Sequence, residues 1–269
     1  MSPGKTSVPQ RNLSIDPLRV GAPGRRGGKR GHRRTSATIE GMATRVFLIR
    51  HGATTLAAED RFAGSIDVEL SDAGREQAAA LADRLAGDAI AAVYCSPMKR
   101  TVETAAIVAR AHGLTPVHRD GLREIHHGRW EGLHRAEVEE RFPEEYAAYE
   151  ADPFTSAPEG GESGLSVMAR ALPVLREIVL KHDGAAVAVV SHKATIRLLV
   201  ASVLGFDARG YRDRLDQSPA CLNILDFKDP VRARLALFND ISHYADRPRR
   251  PSAHISRWWD APVEESGDR

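Results

Sequence analysis

Short apolar runs alternate with longer helical segments along most of this chain, and this alternation limits the fold more than any other feature. The clearest runs are Ala185–Val190 (AAVAVV) and Arg45–Ile49 (RVFLI), which are short and rich in Val and Ile, as buried strands are. Ser71–Leu85 is Ala-rich, opens on a Ser cap and ends before Gly87, which predicts a helix. Strands that alternate with helices indicate a mostly parallel sheet with helices on both faces.

The rest of the chain continues this pattern. Further strands are predicted at Ala89–Cys95, Thr115–Val117, Leu222–Phe227 and Arg234–Phe238, the last two antiparallel. Further helices are predicted at about Met98–Ala111, at 134–150, from the loop Pro158–Ser163 to about Lys181, and up to Leu204 before Gly205. The predicted fold class is therefore α/β, with three αβα layers and a mostly parallel central sheet.

Composition changes sharply near residue 41. Residues 1–41 hold nine Lys and Arg against two acidic residues, a net charge of +7, whereas the remainder holds 29 basic and 34 acidic residues, a net charge of −5. The first segment is rich in Gly, Pro, Ser and Arg, so we expect disorder there. Three other interpretations stay open: a nucleic-acid-binding arm, a targeting peptide, and a start-site artefact, since Met42 opens MATRVFLIRHG. We expect one domain over 43–246 and a loose tail over 247–269.

The two cysteines, Cys95 and Cys221, give little reason to expect a metal site or a disulfide. Neither has a CxxC pattern or a nearby His at metal-ligand spacing, so we expect no metal and a reducing, cytoplasmic location. Cys95 precedes a turn and is predicted to be a small core residue. No apolar run reaches the roughly 18 residues of a membrane-spanning helix, so no membrane association is expected.

Three of the predicted strands end on polar residues. Arg50 and His51 follow the first strand, Ser96 follows the second with Arg100 close behind, and His192 follows the run AAVAVV. The carboxyl ends of parallel strands meet at one edge of a sheet, where α/β proteins bind ligands. Two Arg and two His at that edge predict a phosphate site, because guanidinium groups match phosphate oxygens. The N-terminus of the helix after His192 is expected to add backbone N–H donors.

Several segments in order carry a resemblance to a known family. They are LIRHGATT, RFAGSIDVELSDAGREQA, YCSPMKRTVETA, LREIHHGRWEG, PEGGES and VSHKATIRLL, and they span residues 45–243. The chain resembles the histidine phosphatase superfamily, which includes the cofactor-dependent phosphoglycerate mutases. The resemblance implies the phosphoglycerate mutase-like fold.

The resemblance also implies a role for each polar strand end. His51 would be the nucleophile that becomes phosphohistidine, Arg50 and Arg100 would clamp the phosphoryl oxygens, and His192 would complete the cradle. Glu124 would be the general acid that protonates the leaving oxygen and later takes a proton from water. A covalent intermediate divides one difficult displacement into two easier ones, and the chemistry needs neither a metal nor a cofactor.

Additional substrate contacts are expected nearby. We expect Arg61 and Gly64, in RFAGSIDVEL, and Lys193 to contribute to substrate binding. Lys193 stands where the mutases usually have Gly, and its charge suggests a carboxylate on the substrate. The chain after the last predicted strand resembles a family segment that lies near the pocket and can contact substrate. Its residues here are Asn239, Asp240, Ser242 and His243.

Other residues in the same motifs have simpler interpretations. Glu131 competes with Glu124 as the catalytic carboxylate, and we interpret it as structural. His126 and His127 suggest a metal pair, but neighbouring side chains point apart in a strand and no third ligand is evident. We therefore expect no metal there.

The family contains both phosphatases and mutases, and the segment before His192 favours a phosphatase. Glu124 and His192 lie 68 positions apart, which leaves little room for the longer cap of a mutase. Residues 133–165 hold two Arg, at 135 and 141, with His134 beside them, against nine acidic residues: Glu137, Glu139, Glu140, Glu144, Glu145, Glu150, Asp152, Glu159 and Glu162. Such a cap disfavours a second phosphate. Ala57 also stands where mutases usually have Asn.

We therefore predict a metal-independent phosphatase that acts on a small phosphorylated metabolite. The alternatives are a cofactor-dependent phosphoglycerate mutase and, more remotely, a non-catalytic phosphate-binding or regulatory protein. We expect no membrane partner and no nucleic-acid partner, and a homodimer stays open.

Overall fold

A single six-stranded sheet organises the molecule. The structure is a computed structural model that describes residues 43–55 and 61–246. Its strands are β1 Thr44–Arg50, β2 Ile90–Cys95, β3 Val117–His118, β4 Ala186–Ser191, β5 Leu222–Phe227 and β6 Ala233–Asp240. Their order across the sheet is β3-β2-β4-β1-β5-β6. The first four in this order are mutually parallel, whereas β5 runs antiparallel to β1 and β6 antiparallel to β5.

Seven helices accompany the sheet in the described ranges. They are α1 Asp72–Leu85, α2 Lys99–Arg110, α3 Arg135–Arg141, α4 Pro143–Ala151, α5 Gly164–Lys181, α6 Lys193–Leu204 and α7 Tyr211–Arg214. Ser71 and Ser163 cap α1 and α5 by accepting a hydrogen bond from a first-turn N–H group. Gly205 ends α6 with a φ of 72°, a left-handed conformation that suits Gly.

Both faces of the central strands are buried. In β1, Val46 and Leu48 belong to a core cluster with residues of α5 and α6, whereas Phe47 and Ile49 belong to a second cluster with residues of α1 and α2. Alternate side chains of a strand point to opposite faces, so a strand between two helical layers must be apolar throughout. The predicted α/β class, with helices on both sides of a mostly parallel sheet, is confirmed.

The prediction of one helix over 134–150 is wrong. Two helices occupy this range, α3 and α4, and they meet at Phe142 and Pro143. Phe142 has φ −136° and ψ 55°, and Pro143 is the first residue of α4. Proline has no N–H group to continue the hydrogen-bond ladder, and its ring disfavours a helical conformation in the preceding residue. The chain therefore turns at this point.

Several other expectations can be placed on this fold. Cys95 and Cys221 are both free and buried, as predicted for Cys95. Across the described ranges, no helix is both long enough and apolar enough to cross a membrane. The tails predicted at 1–41 and 247–269 lie outside the described residues, as does Ala57. The domain limits 43–246 stay a prediction.

Candidate active site

The polar ends of β1, β2 and β4 lie together at the carboxyl edge of the sheet. The backbone N–H of His51 donates to the carbonyl of Ser191 over 3.1 Å, and that of Ser96 donates to the carbonyl of Val190 over 3.1 Å. The imidazole rings of His51 and His192 meet edge to face, with centroids 5.2 Å apart. Parallel pairing of β1 and β2 with β4 therefore brings both histidines to one place.

The ring of His51 is held in one orientation. Its Nδ1 atom lies 2.7 Å from the carbonyl oxygen of Gly52, which can only accept, so Nδ1 carries the proton and Nε2 carries the lone pair. Burial, together with the charges of Arg50 and Arg100, lowers the pKa of the His51 imidazole well below its usual value of 6.5. His51 is consequently neutral at physiological pH and presents a nucleophilic nitrogen.

Gly52 is required by a close approach between two backbones. A Cβ at Gly52 would overlap the carbonyl of Gly74 in the first turn of α1, and a Cβ at Gly74 would overlap the carbonyl of Ala53. The Gly52 N–H donates to the hydroxyl of Thr104 over 3.2 Å, which ties the same loop to α2. The Gly of the RHG motif thus allows α1 and α2 to fix the loop that carries the His51 ring.

His192 is neutral and has the opposite tautomer. The Nε–H of Arg100 donates to its Nδ1 atom over 3.2 Å, so its Nε2 atom carries the proton, which is donated to the Ser96 hydroxyl over 2.8 Å. Burial, followed by the charges of Arg100, His51 and Arg50, lowers the pKa of His192 well below 6.5. Ser96, Arg100 and His192 thereby form one hydrogen-bonded unit behind His51.

Arg100 also anchors the loop between β1 and α1. Its Nη1 atom donates to the carbonyl of Ile66 over 2.8 Å, and its Nη2 atom donates to that of Gly64 over 2.9 Å. Gly64 has a φ of +41°, and a Cβ there would overlap the carboxylate of Glu131. Arg61 lies on the same loop, where its Nη1 atom donates to the carbonyl of Gly132 over 2.7 Å. Substrate binding by Gly64 and Arg61 stays a prediction.

Arg50, the last residue of β1, directly precedes His51. Its Nη1 atom donates to the carbonyl of Gln217 over 2.6 Å, while its Nε–H group is buried and has no hydrogen-bond partner among the described residues. Burial lowers the pKa of Arg50, although guanidinium groups stay charged at any physiological pH. A fixed cation with an unused buried donor favours an anion beside it.

The N-terminus of α6 differs from the prediction. Its first N–H groups, those of Ala194 and Thr195, donate to the carboxylate of Glu124 over 3.2 and 3.3 Å. The Thr195 hydroxyl and the Ile125 N–H also lie within 3.3 and 3.0 Å of that carboxylate. The expectation that these N–H groups face the phosphate is wrong, because a protein carboxylate already occupies the helix end. Glu124 gains a fixed position from them instead.

Lys193 begins α6 beside this carboxylate. Its Nζ atom lies 3.7 Å from Oδ1 of Asp216, which also lies 3.4 Å from Nη2 of Arg197, one turn further along α6. Burial, followed by the charges of Arg197 and Arg50, lowers the pKa of Lys193 to about 7. The same burial lowers the pKa of Arg197 to about 10. Lys193 therefore belongs to a cluster of cations that adjoins Arg50.

Glu131, the competing carboxylate, has a structural position. It accepts hydrogen bonds from the backbone N–H and the hydroxyl of Ser65, each over 2.7 Å, and from the His127 N–H over 3.1 Å. These contacts join the loop that contains Gly64 to the segment after Glu124. These contacts favour the interpretation of Glu131 as structural, which stays a prediction.

The pair His126 and His127 lies in a loop, so the expectation of a strand there is wrong. Nδ1 of His126 accepts from the Gly128 N–H over 2.9 Å, and the His127 ring packs against Phe62 and Tyr149. The left-handed φ of 54° at Gly128 turns the chain at this point. No group of three His, Cys, Asp or Glu residues within the described ranges is placed to hold a metal ion.

The end of β6 and the segment after it support a loop of the site from outside. The Asn239 side chain accepts from the Ser218 N–H over 2.6 Å, and Asp240 pairs with Arg84 of α1. His243 Nε2 lies 3.1 Å from the carbonyl of Ala220. In these contacts the segment positions residues 217–220, whose Ala220 N–H donates to the carbonyl of His51. Substrate contact by this segment stays a prediction.

Sequence reasoning missed several residues of this site. Ser96 was visible as a strand end, but its role as the partner of His192 was not. Arg197 could have been found from the sequence, because it stands four positions after Lys193 and so lies on the same side of α6. Asp216 and Gln217 precede β5 in a loop with no pattern of its own, so no sequence signal could have found them.

The assembled site can hold a phosphoryl group next to a neutral nucleophile. The charges of Arg50 and Arg100 both act on His51, and the charge of the Glu124 carboxylate acts on both arginines. Arginines neutralise the charge of phosphoryl oxygens, and a fixed carboxyl group exchanges protons with the leaving oxygen or with water. His51, the two arginines and Glu124 are therefore grouped at one edge of the sheet.

Comparison with known proteins identifies the family to which the chain belongs. The sequence pattern of the histidine phosphatase superfamily (branch 1) matches residues 46–241. Phosphoserine phosphatase 1 of Hydrogenobacter thermophilus is 35% identical over 163 residues, which cover 61% of this chain and 77% of that protein. A metal-independent phosphoserine phosphatase of Arabidopsis thaliana is 31% identical over 208 residues, covering 76% and 85%.

A solved structure agrees with these relatives. The native mycobacterial glucosyl-3-phosphoglycerate phosphatase superposes with a TM-score of 0.67 at 31% identity, and the match covers 73% of this chain and 99% of that one. The matched range, residues 46–241, contains His51, His192, Arg50, Arg100 and Glu124. The chain therefore belongs to the histidine phosphatase superfamily, branch 1.

Proposed function

We propose that this chain is a phosphatase that hydrolyses a small phosphorylated metabolite through a phosphohistidine intermediate on His51. The observation that carries the proposal is the state of His51, which is neutral, has its lone pair on Nε2 and lies beside the guanidinium groups of Arg50 and Arg100. A neutral imidazole is a competent nucleophile, and the adjacent cations favour a phosphate in front of it.

The reaction proceeds in two displacements. In the first, Nε2 of His51 attacks phosphorus, the bond from phosphorus to the ester oxygen breaks, and Glu124 protonates the departing alkoxide. In the second, Glu124 takes a proton from water, the water oxygen attacks phosphorus, and the bond to His51 breaks to release phosphate. Arg50, Arg100 and His192 hold the phosphoryl group, so the chemistry is independent of metals and cofactors.

The names of the three relatives compared above support a phosphatase. The three compared proteins are phosphatases by name, and phosphoserine and glucosyl-3-phosphoglycerate each contain a phosphate ester and a carboxylate. A mutase also needs a second phosphate site. Cations near the cap are already paired, Arg129 with Glu145 and Glu159, and Arg212 with Glu150. Cytoplasmic location, absence of a nucleic-acid partner and a homodimer stay predictions.

Hydrolysis of p-nitrophenyl phosphate in the presence of EDTA tests the proposal. We expect the full chain to release p-nitrophenol with EDTA present, and His51→Ala to lower kcat/KM by at least about 10⁴-fold. His118→Ala, which changes an exposed histidine in β3, is the matched control and leaves the rate unchanged. Phosphoglycerate isomerisation without hydrolysis of any phosphomonoester would instead support the mutase.

A further inference from the structure

Two cationic side chains of α6 approach a single aspartate next to the proposed phosphate site. Nζ of Lys193 and Nη2 of Arg197 both approach Oδ1 of Asp216, over 3.7 and 3.4 Å. The charges of Arg50 and Arg197 each shift the pKa of Lys193, so Arg50 belongs to the same cluster. We call these three cations, with Asp216, the α6 cation cluster.

The negative charges near this cluster do not balance it. Asp216 is 43% exposed and contacts both α6 cations at distances longer than a good charge-assisted hydrogen bond. Glu124, the other carboxylate that acts on Lys193, is already bonded to the first N–H groups of α6. Lys193 and Arg197 therefore share Oδ1 of Asp216, which also accepts a hydrogen bond from the Gln217 N–H over 2.7 Å.

Two donors in the cluster are buried and unused. The Arg197 side chain is 6% exposed, and its Nε–H group, like that of Arg50, has no hydrogen-bond partner among the described residues. Leaving a buried cationic donor unpaired is costly, so such groups normally have an anion or a ligand oxygen beside them. Lys193 is 23% exposed, which leaves the cluster open to a ligand from solvent.

The chain places this cluster directly beside the reacting groups. Lys193 follows His192, and Arg50 precedes His51, so two members of the cluster are bonded to the two histidines of the site. Ala194 and Thr195 of α6 also bind the Glu124 carboxylate, so we expect the remaining part of a substrate with its phosphate at His51 to lie within reach of α6. A carboxylate is the compact anion that suits an ammonium and a guanidinium together.

We propose that Lys193 and Arg197 form a second anion subsite that binds a carboxylate of the phosphorylated substrate, with Asp216 positioning both cations. This inference rests on the proposed phosphatase function and adds the residues that select the substrate. The substrates are then phosphate monoesters of hydroxy or amino acids, and neutral phosphomonoesters bind less tightly.

A purely structural role makes a different prediction. If the cluster only joined α6 to residues 215–220, removal of a cation would disturb the Gln217 carbonyl and its bond to Arg50. Acidic and neutral substrates would then lose affinity equally. Selective loss for the carboxylated ligand is the signature of a subsite.

Matched pairs of ligands test the proposal. O-phosphoethanolamine is O-phosphoserine without its carboxylate. Glycerol 3-phosphate has a hydroxymethyl group where 3-phosphoglycerate has a carboxylate. Their inhibition constants against p-nitrophenyl phosphate hydrolysis are measured for the full chain and for Lys193→Gln, Arg197→Gln and Lys228→Gln. Lys228 is an exposed lysine in the turn after β5 and serves as the control.

We expect the full chain to bind the carboxylated member of at least one pair about 10- to 100-fold more tightly. Lys193→Gln and Arg197→Gln should each abolish most of that preference, with little change for the neutral member, and Lys228→Gln should retain it. Arg197 is buried, so a folding defect in Arg197→Gln would show as a lower Tm. In that case the ligand preference of Lys193→Gln is the test of the subsite.

Two results would overturn the subsite: equal affinity for both members of both pairs, or an equal loss for both members in Lys193→Gln. Failure of the phosphatase proposal has a separate readout, since p-nitrophenyl phosphate would not be hydrolysed at all. Calorimetric titration with the same ligand pairs would then measure the subsite directly.

Discussion

The Nε–H of Arg100 donates to Nδ1 of His192 over 3.2 Å, so one guanidinium sets the tautomer of the second histidine. The remaining contacts of Arg100, to the carbonyls of Ile66 and Gly64, join the same side chain to the loop before α1. Arg100 therefore couples the geometry of the phosphate site to the loop beside it. This arrangement needs the planar fork of arginine, which lysine lacks.

Arg100→Lys should lower activity strongly even though the charge is retained. We expect kcat/KM for p-nitrophenyl phosphate to fall about 10²- to 10³-fold, because one ammonium cannot replace donors directed at three different acceptors. Steady-state kinetics measures the effect. Arg110→Lys changes an exposed arginine at the other end of α2 and should have wild-type kinetics. Near-normal activity of Arg100→Lys would show that only the charge matters.

Glu124→Gln should produce a defect that depends on the leaving group. The amide keeps the shape of the carboxyl group but cannot donate and recover a proton, so alkyl phosphates should lose about 10²- to 10⁴-fold in kcat/KM. p-Nitrophenolate departs without protonation, so the first displacement should be much less affected for its ester.

Comparison of O-phosphoserine with p-nitrophenyl phosphate in a burst experiment separates the two steps. Glu131→Gln is a related change in a nearby carboxylate that has structural contacts, and its effect should be similar for both substrates. An equal loss for both substrates in Glu124→Gln would contradict its role as general acid.

Buried histidines should make the protein less stable in mild acid. In the folded protein the pKa of His127 is lowered from 6.5 to about 4, chiefly by burial, and those of His51 and His192 are also lowered. Between about pH 4 and 6.5 the unfolded chain therefore binds more protons than the folded one. The free energy of unfolding should therefore rise with pH across this window.

Urea denaturation at several pH values measures this slope. His127→Phe keeps a ring beside Phe62 and Tyr149 but cannot bind a proton, so the slope below pH 6.5 should become shallower. His118→Gln, at an exposed position, should leave it unchanged. A slope in His127→Phe equal to that of the wild type would show that His127 is not a buried neutral imidazole.

The proposed carboxylate preference should itself depend on pH. Lys193 has its pKa lowered from 10.5 to about 7 by burial and by Arg197 and Arg50, against the opposing charges of Asp216 and Glu124. The ammonium is charged below about pH 7 and neutral above it, so the preference for O-phosphoserine over O-phosphoethanolamine should weaken as pH rises through 7.

Lys193→Arg separates the charge of this position from other titrations. Arginine stays protonated, so the preference should persist up to about pH 9 in this variant. The ratio of the two inhibition constants across pH measures it. If the ratio declined in parallel in Lys193→Arg and the wild type, the titration of Lys193 would not be its cause.

The sequence predicted the fold well because its elements have local signals. Apolar strands, the Ser71 cap and the Gly205 stop each depend on neighbouring residues, and all were found in the structure. The break at Phe142 was missed because helical charge spacing continues through it and outweighed the signal of Pro143. Proline decided the local conformation there.

Only the site residues that follow predicted strands could be placed from the sequence. His51, Arg50 and His192 follow buried strands, so their meeting at one edge follows from parallel pairing. The contacts of Glu124 with the N-terminus of α6 join residues about 70 positions apart, and no local pattern reports them. The position of Asp216 between Lys193 and Arg197 likewise depends on a loop that tertiary packing places.

The most direct test of the central claim is to trap the covalent intermediate. The full chain is mixed with O-phosphoserine or p-nitrophenyl phosphate in EDTA, quenched in alkali within the first turnover and digested for mass spectrometry. We expect an acid-labile phosphoryl group on the peptide that contains His51, and its absence in His51→Ala. Turnover without any phosphorylated peptide, or with the phosphoryl group on another residue, would contradict it.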